Sequence, residues 1–377
     1  MGTIFDYLAW RGDIPLTQVP LNSVDALILS TLAYVHFQDL VPDRPGPGVP
    51  LSQAAQAFLS LPEASTEDRV RCDDRKLLRA LIDAPRFSGL TLTFHQDIFS
   101  PQRETQFAAL AVRLDRETAF LAFRGTDSTL VGWKEDFNMS FLDTVPAQQA
   151  ALDYLTTWVA HSPSPVILGG HSKGGNLAVY AAALAAPTVR DRVKAVYNND
   201  GPGFTKKVLT APGYLELIPR IRSFVPQSSV VGMLLEHEDP YTVIKSRQLG
   251  IFQHDPYSWE VQGGGFVVLD QVTQGSRKLD ETLKTWLDAL TPTDREVFLD
   301  GLYQALAGTQ ARSLDDLAQP KKPVHRLSRA YPSGRGHPPE HRPHPGAACQ
   351  VGRRSPAGQR RLTRALYIAL KSAILNG

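Results

Sequence analysis

The sequence predicts an α/β protein: a mostly parallel central sheet, helices on both faces and an N-terminal helical cover. Three observations predict it. Short apolar runs alternate with helical runs from about Ala147 onward. A β-hairpin precedes them, Phe107–Arg113 and Thr118–Phe123, joined by the polar turn at Asp115-Arg116-Glu117. Third, the apolar run Val166–Leu168 passes through Gly169-Gly170-His171-Ser172-Lys173-Gly174-Gly175 into a helix-forming run, as a buried strand does when it turns into a helix.

The elements follow in chain order. Asn22 is a good N-cap for a helix over Ser23–Val35, where Val24, Leu27, Ile28 and Leu32 keep a helical period. Asp39–Pro50 is Pro-rich and reads as a loop; Leu51–Leu59 and Asp74–Ile82 read as helices. Thr91–Phe99 alternates as a strand does, the hairpin follows, and a helix spans about Ala147 to Ala160. After the strand at Val166–Leu168 comes a helix over Asn176–Ala186 that Pro187 ends. Val193–Tyr197, Ile218–Val225 and Tyr241–Lys245 read as further strands, Tyr257–Val261 as β-like, and Phe266–Leu269 as a last strand after the turn at Gly263–Gly265. Helices over Lys278–Leu290 and Asp294–Ala307 close the body, the second stopped by Gly308.

The chain has 377 residues, 42% of them hydrophobic, enough for a sizeable core in one large domain or two. Residues 1–319 read as that body. No run approaches the roughly 20 apolar residues of a membrane span. The start, Met1-Gly2-Thr3-Ile4-Phe5-Asp6, has no basic segment leading into an apolar one, so no secretory signal is expected. Two cysteines, Cys72 and Cys349, form neither a disulfide framework nor a metal-ligand spacing, and a cytoplasmic protein is the expectation. Twelve of the 40 basic residues but one of the 38 acidic residues lie from Lys321 onward, so the part before it carries 28 basic and 37 acidic residues, a net of −9. Residues 320–361 are rich in Pro, Gly, Arg and His and cannot bury enough apolar surface to order themselves. They read as a disordered linker, or as a stretch translated out of frame, ahead of a terminal helix at 362–377. The basic tail carries only Tyr331 and Tyr367 as aromatics, which gives poor support to stacking on nucleic acid.

The chemistry sits in Gly170-His171-Ser172-Lys173-Gly174, a G-x-S-x-G nucleophile elbow. The serine of such an elbow occupies a strained turn that lifts its Oγ above the sheet. Side chains two residues to either side would strike the strand and helix, hence the glycines. The following helix aims its positive end at the place where an oxyanion forms. A serine hydroxyl needs a general base. Of ten histidines, four lie in the tail, His36 and His95 precede the elbow, His161 ends a helix, and His171 adjoins the serine facing the wrong way. His237 and His254 remain, and His254, after the last parallel strand, is better placed. For the orienting acid, Asp200 stands at the C-terminal end of the strand after the elbow strand. Asp239 and Glu236 are its rivals, and Asp255 is too near His254 in sequence to orient it. The backbone N–H groups of Lys173 and Thr126 are the candidate oxyanion hole. Arg124 and Asp136 read as a structural ion pair. A Lys at 173, where many elbows carry a small or apolar residue, hints at a polar site rim.

These residues resemble the class 3 (fungal-type) lipases. The hairpin into Ala122-Phe123-Arg124-Gly125-Thr126, the helix start at Trp133–Asp136 and the Gly-His-Ser-x-Gly elbow occur there in this order, over about Ser23 to Val261. The whole body is similar to an uncharacterised bacterial family, the Mbeg-like lipase-related proteins, through Asp6-Tyr7-Leu8, Asn199-Asp200-Gly201-Pro202-Gly203-Phe204 and Gln253-His254-Asp255-Pro256. The resemblance implies an α/β-hydrolase fold, nucleophile Ser172, base His254 and an oxyanion contribution from Thr126. One departure stands out. Class 3 lipases carry their catalytic aspartate just after the strand matching Arg222–Val225, where this chain reads Pro226-Gln227-Ser228-Ser229-Val230. Either the acid has moved, with Asp200 the choice, or the triad is incomplete.

The expected activity is hydrolysis of carboxylic esters through an acyl-enzyme on Ser172, with a small-molecule or lipid ester as partner and neither metal nor cofactor. The alternative is a non-catalytic protein of the same fold that binds an acyl ligand or a protein partner; the missing acid favours it, and the intact elbow with His254 opposes it.

Overall fold

The computed structural model describes residues 1–62, 72–100, 105–126, 139, 142, 144–229, 231–232 and 235–273. The expected helices at Lys278–Leu290, Asp294–Ala307 and 362–377, the linker at 320–361, the Trp133 helix start and Asp136 lie outside the described residues.

The N-terminal part supplies helices α1 (Ile4–Arg11) and α2 (Ser23–Leu32), a short strand β1 (Val49–Pro50), and helices α3 (Leu51–Leu59), α4 (Cys72–Ile82) and α5 (Pro85–Ser88). Helix α2 begins as its sequence dictates. The Asn22 side chain accepts from the N–H groups of Val24 and Asp25, and Asp25 accepts from the N–H of Asn22, a reciprocal cap. Asp25 is fully buried and holds Arg86 in a two-pronged pair, Oδ1 to Nε at 2.7 Å and Oδ2 to Nη2 at 2.5 Å, while Tyr7 donates to the same Oδ1. Three further carbonyls, of Ile14, Val19 and Pro20, accept from Arg86, so the buried guanidinium is fully engaged. This network fixes α2, whose end leads two residues on to Tyr34, a residue of the site.

The sheet follows: β2 (Thr91–Ser100), β3 (Thr105–Arg113), β4 (Ala119–Phe123), helix α6 (Pro146–His161), β5 (Val166–His171), helix α7 (Lys173–Leu184), β6 (Val193–Asn199), β7 (Ile221–Pro226) and β8 (Tyr241–Ile244). The pairs from β4 through β8 are parallel, those of β1–β2, β2–β3 and β3–β4 antiparallel. A mixed sheet results, with its parallel half around the serine. The hairpin turn closes where the sequence predicts it: Asp115 Oδ1 accepts from the N–H of Glu117 and of Thr118, both at 2.7 Å. Strand alternation then divides two cores. Leu110, Val112, Phe120 and Ala122 face the N-terminal helices. Phe107, Ala109, Ala111, Leu121 and Phe123 face α6 and α7, with Tyr154, Trp158 and Leu177. Helices therefore cover both faces. Among the described residues no helix is long and apolar enough to cross a membrane.

Several boundaries differ from the sequence expectation, each for a local reason. Ile218–Arg220 is a 3-10 turn rather than the start of β7, because Pro219 cannot donate to a sheet ladder. Tyr257–Val261 is not a strand throughout. Asp255 caps a 3-10 turn at Pro256–Ser258, accepting from the N–H of Tyr257, and only Val261–Gln262 (β9) is extended. Phe266–Leu269 splits into β10 (Gly265–Phe266), which pairs with β9, and β11 (Val268–Leu269), which extends the main sheet beside β8. Pro187 does not merely end a helix; it opens a short one at Pro187–Arg190.

Candidate active site

β5 ends at His171 and α7 begins at Lys173, so Ser172 alone makes the turn. Its backbone stands at φ 61°, ψ −136°, a region that non-glycine residues rarely occupy. The neighbours enforce it. A Cβ on Gly170 would lie 2.1 Å from the Gly174 carbonyl carbon, and one on Gly174 would lie 2.1 Å from the Phe123 carbonyl oxygen. Strand, helix and β4 thus approach as closely as glycine allows, and the elbow spacing is a packing requirement. The Ser172 N–H donates to the Asn199 carbonyl at 2.9 Å, which ties the turn to the end of β6.

The next residue of β6's exit is Asp200, also at positive φ, 56°, with its N–H bonded to the Phe224 carbonyl of β7 at 2.8 Å. Its side chain is wholly buried. Oδ1 accepts from Ser229 Oγ at 2.5 Å and from the Gly232 N–H at 3.2 Å. Oδ2 lies 2.6 Å from His254 Nδ1. A buried carboxylate is stable only when its lone pairs meet donors, and three do here. Because the carboxylate accepts, Nδ1 carries the proton and Nε2 presents its lone pair, the tautomer a general base needs.

His254 closes the 3-10 turn Gly250–His254 in the segment between β8 and β9. That segment is anchored on both sides of the histidine. The N–H of Ser228 donates to Gln253 Oε1 at 2.8 Å, and Trp259 Nε1 donates to the Gln253 carbonyl at 2.9 Å. His171 Nε2 lies 2.7 Å from the His254 carbonyl oxygen, and the two rings sit 4.5 Å apart. Tyr34 Oη lies 3.0 Å from His171 Nδ1.

The remaining expected residues fall as follows. Asp239 accepts from Tyr214 Oη at 2.7 Å and Ser223 Oγ at 2.5 Å, away from His254. Glu236 meets Phe204 through its backbone. Asp255 caps the turn after the histidine. The loop Arg124–Thr126 passes against the serine: a Cβ on Gly125 would lie 2.9 Å from Ser172 Cβ. Gly125, the residue before Thr126, and Lys173 at the start of α7 therefore both border the serine. The Lys173 side chain does not form a polar rim, however. It is 1% exposed and its Nζ donates to the Gln106 carbonyl at 3.2 Å, packed inward where α7 meets β3. Arg124 pairs with Asp97, Nη2 to Oδ1 at 3.1 Å, and Asp97 also holds His36. Arg124 and His36 draw the Asp97 carboxyl below its usual range against the opposing effect of burial.

Sequence reasoning gives Ser229, His171 and Tyr34 no part in the site. Ser229 lies just after β7, where its hydroxyl donates to Asp200 Oδ1. The His171 ring lies between Tyr34 Oη and the His254 carbonyl oxygen.

A mixed α/β sheet thus ends a central strand in a strained serine, near a buried aspartate–histidine pair. The Mbeg1-like family model matches residues 81–304, and the chain belongs to that family. No curated protein matches it. Among solved structures the chain is similar to the native Rhizomucor miehei lipase propeptide complex, at 16% identity and a TM-score of 0.35, covering 58% of this chain and 67% of that one. A deletion mutant of that complex matches at 16% identity and TM-score 0.33 over 45% and 58% of the two chains. M37 lipase matches at 11% identity and TM-score 0.35 over 56% and 69%.

Proposed function

We propose that the protein is a serine hydrolase of the α/β-hydrolase fold that cleaves carboxylic esters, lipid esters and thioesters among them, through an acyl-enzyme on Ser172. The observation that carries this reading is the 2.6 Å contact of His254 Nδ1 with a fully buried Asp200 beside the serine elbow. In this reading Ser172 Oγ attacks the acyl carbonyl and His254 Nε2 takes its proton. The buried Asp200 carboxylate holds the tautomer and stabilises the imidazolium. The backbone N–H groups of Thr126 and Lys173 receive the oxyanion, where a single donor contributes on the order of 10²–10³ in rate. His254 then protonates the leaving alkoxide or thiolate, and water, activated by the same histidine, releases the acid. The triad acid thus comes from the end of β6, and Ser229, after β7, supports it rather than replacing it. No step calls for a metal or cofactor.

Among the described residues the Ser172 hydroxyl has no hydrogen bond to the His254 ring. Such a bond commonly tightens only with substrate in place. Labelling with a fluorophosphonate tests the reading. Wild type should label, Ser172→Ala should not, and His254→Ala should label far more slowly. A folded wild-type protein that neither labels nor hydrolyses short or long esters would instead support the acyl-ligand or partner-binding role.

A further inference from the structure

We infer that His171, the residue before the serine, is a positioning residue for the general base: it holds the His254 backbone, and Tyr34 fixes its ring for that task. The inference rests on the hydrolase reading for its kinetic consequence but not for its structural one.

The chemistry of the contacts sets the protons. His171 Nε2 faces a backbone carbonyl at 2.7 Å, and a carbonyl only accepts, so Nε2 carries the hydrogen. The other ring nitrogen lies 3.0 Å from Tyr34 Oη and accepts from it in the neutral ring, and the same hydroxyl also reaches the His171 carbonyl at 3.4 Å. Both ring nitrogens of a buried imidazole are thereby satisfied in its neutral form, and the ring has one orientation. The bond ends on the carbonyl of His254 itself, so it fixes the backbone from which the base projects.

The place matters as much as the bond. The Asp200 contact fixes the Nδ1 side of the His254 ring, but a ring held at one point can still swivel about it. His171 instead holds the main chain from which that ring projects, from a position one residue before the nucleophile. The order His-Ser therefore joins the base's backbone and the nucleophile's Oγ to consecutive residues of one rigid strand end. The chain of contacts continues through Tyr34 to α2, itself locked by the Asn22 cap and the Asp25–Arg86 pair. With ring centroids 4.5 Å apart, a charged His171 would oppose formation of the His254 imidazolium.

The test compares His171→Phe, His171→Gln and Tyr34→Phe in the full chain. Phenylalanine keeps the ring and removes both nitrogens; the glutamine amide can still reach the carbonyl as a donor. His171→Phe should lower kcat for a soluble p-nitrophenyl ester about 10- to 100-fold with KM within about twofold, as expected for a displaced reacting group. His171→Gln should recover most of that loss, and Tyr34→Phe, which leaves the carbonyl bond in place, should fall between. A second readout needs no turnover: the low-field proton resonance of the His254 Nδ1–H bonded to Asp200. It should broaden or vanish in His171→Phe and persist in His171→Gln. Equal kcat in His171→Phe and wild type, or an unchanged resonance, would overturn the inference. A wild type that shows the resonance but no labelling would overturn the hydrolase reading alone. Should His171→Phe fail to fold, the fall in kcat of Tyr34→Phe decides, and wild-type kcat there would count against the inference.

Discussion

Replacing Asp200 by asparagine separates orientation from packing, because the surroundings dictate how the amide must sit. Ser229 Oγ and the Gly232 N–H both point donors at Oδ1. The amide oxygen therefore keeps that side, and the NH₂ group takes the place of Oδ2, 2.6 Å from His254 Nδ1. An amide N–H facing Nδ1 needs an acceptor, so the imidazole proton moves to Nε2. Nε2 then cannot accept the proton of Ser172. The loss in kcat at neutral pH should be about 10⁴-fold, or roughly 5.4 kcal/mol of barrier. The fold should survive, since every donor around Oδ1 keeps its acceptor. The assay is kcat for a p-nitrophenyl ester together with the fluorophosphonate labelling rate, with circular dichroism for the folded fraction. Asp239→Asn is the control: that buried carboxylate serves Tyr214 and Ser223, so its replacement should lower stability and leave kcat of the folded protein within about twofold. An Asp200→Asn enzyme within about tenfold of wild type would refute the assignment, and with it the argument that a buried acceptor selects the tautomer.

Three further expectations follow from the same geometry. Ser229→Ala removes a buried donor to Asp200; stability should fall by about 1–3 kcal/mol and kcat by less than for Asp200→Asn, and a stability equal to wild type in chemical denaturation would contradict the contact. Gly174→Ala would press a methyl within 2.1 Å of the Phe123 carbonyl, so it should cost about 3 kcal/mol or more and reduce the soluble folded yield; an alanine variant as stable as wild type would show that the elbow relaxes. Burial lowers the pKa of His95 to about 4 from 6.5, so the unfolded chain takes up a proton there that the folded chain refuses. Its contribution to stability is whole above pH 6.5 and is lost as pH falls toward 4, about 3 kcal/mol across that interval, and His95→Gln should flatten that part of the stability profile. An unchanged slope in the variant would assign the loss to other groups.

The parts of this protein legible in its sequence are those governed by neighbours along the chain. The elbow is one: a buried strand must turn into a helix over a single residue, and only glycine at 170 and 174 fits between strand, helix and β4. The hairpin turn at Asp115 and the cap at Asn22 are others, each made by a side chain bonding backbone two or three residues away. The same local rules misplace strand ends where Pro219 and Pro256 intervene, because extended and 3-10 backbone share similar apolar runs. What tertiary structure alone decided is which polar groups meet. The sequence favours Asp200 by its place at the C-terminal end of a strand and leaves Asp239 and Glu236, in the loop before Tyr241, as rivals. The parallel order β5–β6–β7–β8 carries residues 172, 200, 229 and 254 to one end of the sheet, and there Asp200 faces His254 while Asp239 turns to Tyr214. The direction of His171 is of the same kind. Its identity is written in the chain, but its partner is 83 positions away, and contacts at that separation are set by how strands stack and not by what flanks them.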